Sequence, residues 1–127
     1  MLPVVDPISL SGDIATAGSS TVYPLAEAMA ERFNNEGYNG QITIASIGSG
    51  AGFERFCTTG ETDVANASRA IKDSEKEACV AIGRTPIEFR VGTDALAVVV
   101  SQANTFATDV TMEELAMLFS NTAEKWS

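Results

Sequence analysis

Apolar and polar residues alternate along this chain in two rhythms, one of period two and one near 3.6 residues. The first is typical of half-buried strands, and the second is typical of helices that bury one face. The first rhythm, together with short apolar runs at 14–17 and 95–100, predicts strands at residues 14–17, 41–47, 63–67, 87–91 and 95–101. The second predicts helices from residue 23 to the glycine at 37, at 53–58, from about 74 to 81, and at 112–119. Residues 1–12 show no clear period and are predicted to be flexible.

Helix-start signals support three of these helices. Pro24 suits a first helical turn, where its missing N–H costs nothing. Ser74 with Glu77 fits a capping box, in which each residue bonds the other's backbone N–H, and Thr111 with Glu114 fits a second one.

The predicted order is β-α-β-α-β-α-β-β-α, which indicates an α/β fold. Such alternation implies a largely parallel sheet with helices on its faces. Right-handed crossovers bring successive loops to the carboxyl edge of the strands, where open α/β sheets bind their ligands. The candidate chemistry is therefore expected in the turns that follow the strands.

Size and composition indicate one globular domain. The chain has 127 residues, of which 45% are hydrophobic and 20% charged. Its longest apolar run, residues 95–100, is the size of a strand and far short of a membrane span. The first residues lack the basic region and long apolar segment of a signal peptide.

The charge balance excludes several classes of partner. Eight Lys and Arg residues face seventeen Asp and Glu residues, for a formal net charge of −9. Nucleic acid and anionic lipid both require a basic surface, so neither is expected to bind. A small anion is still compatible, because local N–H groups, hydroxyls and one arginine can hold it inside an acidic protein.

Histidine is absent, and only Cys57 and Cys79 could supply thiol ligands. A structural zinc usually needs four nitrogen or sulfur ligands, so no metal or cofactor is expected. The lack of histidine also removes the commonest general base and disfavours an ordinary hydrolase. The cysteines themselves suit either two buried thiols or a disulfide in an oxidising compartment.

Three turns after predicted strands share small hydroxyl or glycine residues. They are Gly18-Ser19-Ser20-Thr21, Gly48-Ser49-Gly50-Ala51-Gly52 and Ser68-Arg69. Helix N-termini carry unpaired N–H groups and a partial positive charge, glycine allows close approach of the backbone, and arginine adds charged donors. Together the turns indicate a site for a tetrahedral anion.

Each turn also has a purely structural interpretation. Ser or Thr before a helix is often a plain N-cap, a glycine often serves only the bend, and an arginine after a strand is often solvated or ion-paired. Neither glycine-rich turn matches a phosphate-binding P-loop or a full dinucleotide fingerprint. Asp63 and Asp94 suit either a turn-orienting bond to backbone N–H groups or a place in the cleft.

The chain resembles the periplasmic phosphate-binding proteins of phosphate ABC transporters. The resemblance covers nearly the whole chain from about residue 13 and rests mainly on three ordered motifs. These are Ala17-Gly18-Ser19-Ser20-Thr21-Val22-Tyr23-Pro24-Leu25, Ile47-Gly48-Ser49-Gly50-Ala51-Gly52 and Asp63-Val64-Ala65-Asn66-Ala67-Ser68-Arg69. It continues through residues 91–100 and 111–115.

The resemblance implies a two-lobed extracytoplasmic receptor, without catalytic activity, that closes on inorganic phosphate and delivers it to a membrane permease. Carried over residue by residue, it implies phosphate contacts from the first turn, the second turn and the third segment: Ser20, Thr21, Val22, Ser49, Ser68 and Arg69. The extracytoplasmic location favours the disulfide interpretation of Cys57 and Cys79.

Two departures from the family pattern bear on function. The best-known members have an Asp where this chain has Arg69, and that carboxylate accepts the proton of hydrogen phosphate. Arg69 has no acceptor, so selectivity against sulfate must depend on another group. Family members are also at least about twice as long, and their second lobe supplies a Ser-Gly-Thr segment and a basic residue. The chain thus resembles an N-terminal fragment with half of the site.

This resemblance predicts a first ligand-binding lobe at residues 1–94. Residues 95–127 would be a hinge crossover and the start of a truncated second lobe, whose exposed surface could form a homodimer. Three alternatives stay open: a receptor for sulfate, molybdate or tungstate, a self-associating binding module, and a phosphate-ester hydrolase or transferase with Ser20 or Ser49 as nucleophile.

Overall fold

The computed structural model describes residues 4–105 and 109–120. It divides into two compact units, Met1–Asp94 and Ala95–Ser127, and each is described by itself. No helix among the described residues is both long enough and apolar enough to cross a membrane.

A three-stranded parallel sheet forms the centre of the first unit. The strand order is β2-β1-β3, and the carboxyl end of β1 lies between those of its neighbours, with Gly18 opposite Ser46 on one side and Asn66 on the other. The strands are β1 (Ile14–Gly18), β2 (Ile42–Ser46) and β3 (Val64–Asn66). The predicted α/β fold with parallel strands is confirmed.

Helices connect the strands and flank the sheet, with α1 packed against β2, and α2 against β1 and β3. The helices are α1 (Tyr23–Asn35), α2 (Ser49–Glu54), which continues into a π-helical turn (Arg55–Thr59), and α3 (Asp73–Ala81). The second unit contains α4 (Met112–Leu118). In the leading segment predicted to be flexible, Pro7–Ser9 forms a short 3-10 turn capped by the carboxylate of Asp6.

Helix α2 begins four residues earlier than the prediction of residue 53. Two glycines in its first turn lower the helical propensity of the sequence. The packing explains the earlier start, because a Cβ on Gly52 would lie 2.6 Å from the Cα of Gly18. A glycine at this position therefore lets the helix approach the end of β1 closely.

Two aspartates fix the starts of the strands, at the edge opposite the glycine-rich turns. Asp63 accepts a hydrogen bond from the N–H of Ala15 at 2.9 Å, and Asp13 accepts one from the N–H of Gln41 at 2.9 Å. Asp63 therefore bonds a backbone N–H, which is one of the two roles predicted for it, rather than lining the cleft.

The predicted disulfide is present between Cys57 and Cys79, and it joins the π-helical turn to α3. Both cysteines are almost fully buried. Next to this bond, Arg84 donates hydrogen bonds to three backbone carbonyl oxygens, those of Phe56, Gly60 and Thr62, at 3.2, 2.9 and 2.7 Å. The arginine thereby holds the loop that leads from the π-helical turn to β3.

The capping prediction for α3 was wrong in its residues. The helix begins at Asp73, so Ser74 lies inside the first turn and cannot be its N-cap. Glu75 instead accepts a hydrogen bond from the N–H of Lys72 at 2.8 Å. At α4 the predicted capping box is confirmed: the carboxylate of Glu114 accepts from the N–H of Thr111 at 2.8 Å, and the hydroxyl of Thr111 accepts from the N–H of Glu114 at 3.2 Å.

The strands predicted at residues 87–91 and 95–101 are not formed in the described part of the chain. Both segments have alternating or continuous apolar residues, but a strand also needs a neighbouring strand to satisfy its backbone. Their apolar side chains are largely exposed, as at Ile87 (76%), Leu96 (95%) and Val99 (83%).

Candidate functional site

The turns after the three strands meet at the carboxyl end of β1. The carbonyl oxygen of Gly18 accepts hydrogen bonds from the N–H groups of Ile47 and Gly48, at 2.9 and 2.8 Å. The N–H of Ser19 donates to the carbonyl oxygen of Asn66 at 2.8 Å. The Gly18–Ser19 peptide therefore joins the first two turns to each other and to the end of β3.

Glycine is required at position 18 for this junction. Its φ of 148° is one that side-chain-bearing residues rarely adopt, and an added Cβ would clash with the carbonyl oxygen of Asn66. The glycine predicted only as part of a turn thus sets the spacing between β1 and the end of β3.

Ser19, which was not among the predicted contact residues, organises the first turn. Its hydroxyl oxygen accepts from the N–H of Thr21 at 3.2 Å, and its carbonyl oxygen accepts from the N–H of Tyr23 at 3.1 Å. Ser19 is only 4% exposed, whereas Ser20 and Thr21 are exposed. A serine whose hydroxyl bonds the N–H two residues on is a recognised turn pattern, and that signal could have identified it.

This arrangement changes what the start of α1 can offer an anion. Ser19 already occupies the N–H groups of Thr21 and Tyr23, and Pro24 has none. The exposed Thr21 therefore offers mainly its hydroxyl group, and the exposed Ser20 lies beside it.

The second and third turns are directly bonded to each other. The hydroxyl oxygen of Ser49 accepts from the N–H of Ser68 at 3.1 Å and lies 3.2 Å from its hydroxyl oxygen. Ser49 is also the first residue of α2, whose first-turn N–H groups have no acceptor within the helix. Two of the predicted site residues are therefore adjacent, next to unpaired donors.

Arg69 does not extend freely from its turn. Its guanidinium forms a two-bond ion pair with Glu75, at 2.7 and 2.9 Å, and also donates to the carbonyl oxygen of Ala70 at 3.0 Å. The group lies over the ring of Phe53, 5.1 Å from its centre. This is the ion-paired arrangement considered for an arginine after a strand.

The pair shifts the titration of both residues. Hydrogen bonds from Arg69 lower the pKa of Glu75 from 4.5 to about 2, and the N–H of Lys72 adds to that effect. The hydrogen bond to Glu75 in turn raises the pKa of Arg69. Both side chains are charged near neutral pH, and each largely compensates the other.

The described residues do not favour a metal site or a second anion site. In residues 4–105 and 109–120, no group of three or more His, Cys, Asp or Glu residues is arranged to hold a metal ion. An open hollow is lined by Glu27, Glu31, Asn34, Asn35 and Ile44. Its two carboxylates disfavour an anion there.

Residues 8–127 match the family model described as the PBP superfamily domain. The chain belongs to the PBP superfamily. Protein SphX of Synechococcus elongatus is 43% identical over 98% of this chain, and the phosphate-binding protein PstS of Staphylococcus saprophyticus is 36% identical over 91% of it. The chain spans 36% of the length of each of these two PBP relatives.

A solved structure shows the same architecture. It is described as a possible phosphate-binding protein from Planctomyces limnophilus and is 42% identical to this PBP chain, with a TM-score of 0.78. The match covers 93% of the chain and 42% of that protein. The predicted family resemblance is confirmed.

Proposed function

We propose that this chain is a phosphate-binding lobe of the substrate-binding component of a phosphate ABC transporter and has no catalytic activity. The observation that carries the proposal is the direct bonding of Ser49 to Ser68 where three parallel strands end. Relatives named phosphate-binding proteins support the choice of anion.

Neutral donors would make most of the contacts. Ser20, Thr21, Ser49 and Ser68 supply hydroxyl groups, Val22 supplies backbone, and the first turn of α2 supplies unpaired N–H groups. Arg69 would add a positive charge, although its guanidinium is paired with Glu75. Because the chain spans 36% of its relatives, the opposing half of the site would come from a further lobe.

A second candidate is a receptor for another oxyanion, such as sulfate or molybdate. It is favoured by Arg69, which cannot accept the proton of hydrogen phosphate. Glu75 is the carboxylate paired with Arg69, but its oxygens already accept from Arg69 and Lys72.

The proposed role also implies partners and a location. A permease would receive the ion from the complete receptor. An extracytoplasmic location is supported by the buried disulfide, since such bonds persist in oxidising compartments. Exposed apolar residues such as Leu96 and Val99 support a homodimer of this chain, and light scattering would give its mass.

Isothermal titration calorimetry with phosphate, sulfate and molybdate tests the proposal. It should be done on this chain and on a version extended to the length of its relatives. We expect phosphate to bind both, and to bind the extended version more tightly, because a second lobe desolvates the ion. Equal binding of all three anions, or none, in both versions would rule out the phosphate assignment.

A further inference from the structure

The two serine turns of the candidate site belong to two arms that are joined twice. The first arm runs from Ser49 through α2 into the π-helical turn and ends near Cys57. The second runs from Ser68 into α3, which contains Cys79. At one end the arms meet through Ser49 and Ser68, and at the other end through the disulfide.

The second arm behaves as one piece because Glu75 fastens the serine turn to the helix. Glu75 lies in the first turn of α3 and binds both the guanidinium of Arg69 and the N–H of Lys72. A shift of α3 is therefore transmitted to Ser68, the residue next to Arg69.

The first arm is short and irregular. Helix α2 has six residues, and the π-helical turn that follows is a rare geometry, mostly seen as a single turn inside helices. Between the serine contact and the disulfide, the two arms also touch where the guanidinium of Arg69 lies over the ring of Phe53. The serine–serine contact is exposed, whereas Cys57 and Cys79 are 1% and 0% exposed.

We infer that the Cys57–Cys79 disulfide is a positioning element of the anion site, which holds the Ser49 turn against the Ser68 turn. Cutting this bond lets α3 and the π-helical turn separate, and the serine–serine contact loosens at the far end. Anion affinity then falls, although neither cysteine touches the anion. This affinity effect rests on the proposed function.

The test is reversible reduction of this chain by a dithiol such as dithiothreitol. The dithiol supplies two electrons and two protons, becomes a cyclic disulfide itself and leaves two thiols in the protein. Amide hydrogen exchange is then measured at Ser68, whose N–H donates to Ser49, and at Ala15, whose N–H donates to Asp63 at the opposite edge of the sheet. We expect exchange at least about tenfold faster at Ser68 and little change at Ala15.

Phosphate binding gives a second readout. We expect the affinity to fall about tenfold on reduction. By linkage, saturating phosphate should then make the reduction potential of the disulfide more negative by about 30 mV. A Tyr38→Phe control removes a hydrogen bond to Gly12, which lies outside both arms, and should leave the affinity unchanged.

Each outcome is decisive. Unchanged exchange at Ser68 and unchanged affinity after reduction overturn the inference. Equal loss of protection at Ser68 and Ala15 also overturns it, because the bond then stabilises only the whole fold. If the oxidised chain binds no phosphate, the proposed function fails, and Ser68 exchange still decides the role of the disulfide. A Cys57→Ala/Cys79→Ala variant should reproduce the reduced state.

Discussion

Ser49 connects the second and third turns through a single hydroxyl oxygen, which accepts from the N–H of Ser68. A Ser49→Ala variant removes that acceptor and one hydroxyl donor of the proposed site. A hydrogen bond to a charged group contributes about 1.5–3 kcal/mol. We therefore expect phosphate affinity to fall roughly tenfold to a hundredfold, as measured by calorimetry.

The matched control is Ser9→Ala, which removes a hydroxyl from the 3-10 turn, where it donates to the carbonyl oxygen of Asp6. That variant should keep the affinity of the unchanged chain. If both alanine variants bind phosphate equally well, Ser49 is not a contact.

Glu75 makes the stability of the fold sensitive to acid. Its pKa in the folded chain, about 2, lies below its ordinary value of 4.5, so the folded state holds this proton less tightly than the unfolded state does. The contribution is therefore complete above pH 4.5 and is lost as the pH falls towards 2. After allowance for solvent screening, the loss is on the order of 1–2 kcal/mol.

Urea unfolding at pH 6, 4, 3 and 2 measures this loss, and a Glu75→Gln variant should show less of it. The control is Glu36→Gln, because Glu36 pairs with Arg32 on an exposed face of α1. An acid dependence that is the same with and without Glu75 would contradict the account.

At the residue scale, the sequence indicates which kinds of residue form the site more readily than which residues bond to each other. Six contact residues were predicted, and Ser49 and Ser68 are indeed adjacent. The central role of Ser19 was missed because the local turn pattern suits either serine of the pair, and only burial, which depends on the whole fold, distinguishes Ser19 from Ser20. Glu75 was missed because its partner Arg69 lies in a different turn, so no local pattern pairs them.

At the scale of elements, α2 contains a matched pair of glycines. A Cβ at Gly52 would lie 2.6 Å from the Cα of Gly18 and 2.7 Å from the carbonyl oxygen of Ala17, whereas a Cβ at Gly50 would meet nothing within 4 Å. We expect Gly52→Ala to lower the free energy of unfolding by about 1–3 kcal/mol through overpacking. Gly50→Ala should be neutral or raise it by up to about 1 kcal/mol.

Denaturant unfolding of both variants checks this contrast. Similar unfolding midpoints would mean that α2 does not depend on close packing against β1.

The elements of the first unit were predictable because each carries its own local signal and finds its partner within residues 14–81. The segments at 87–91 and 95–101 carry equally strong strand signals, yet no strand forms there in the described residues. These two segments show that an apolar pattern indicates only that a segment can form a strand. The strand itself also requires a second strand to pair with.

At the scale of the whole molecule, the net charge of −9 opposes the approach of an anion. Salt screens this long-range repulsion more than it weakens short contacts inside the site. We therefore expect the association rate of phosphate to rise about two- to fivefold between roughly 10 and 150 mM salt. Stopped-flow measurements check this, and a falling rate would show that the local charge of Arg69 governs the encounter.

The central claim is that three separate turns bind one phosphate ion, and residue-resolved NMR titration tests it most directly. Backbone amide signals are followed while phosphate is added to this chain. We predict that Ser20, Ser49 and Ser68 shift together with one common midpoint, while Ala15 and Gln41 at the opposite edge of the sheet stay still. Shifts with different midpoints, or an absence of shifts at these serines, would contradict the account.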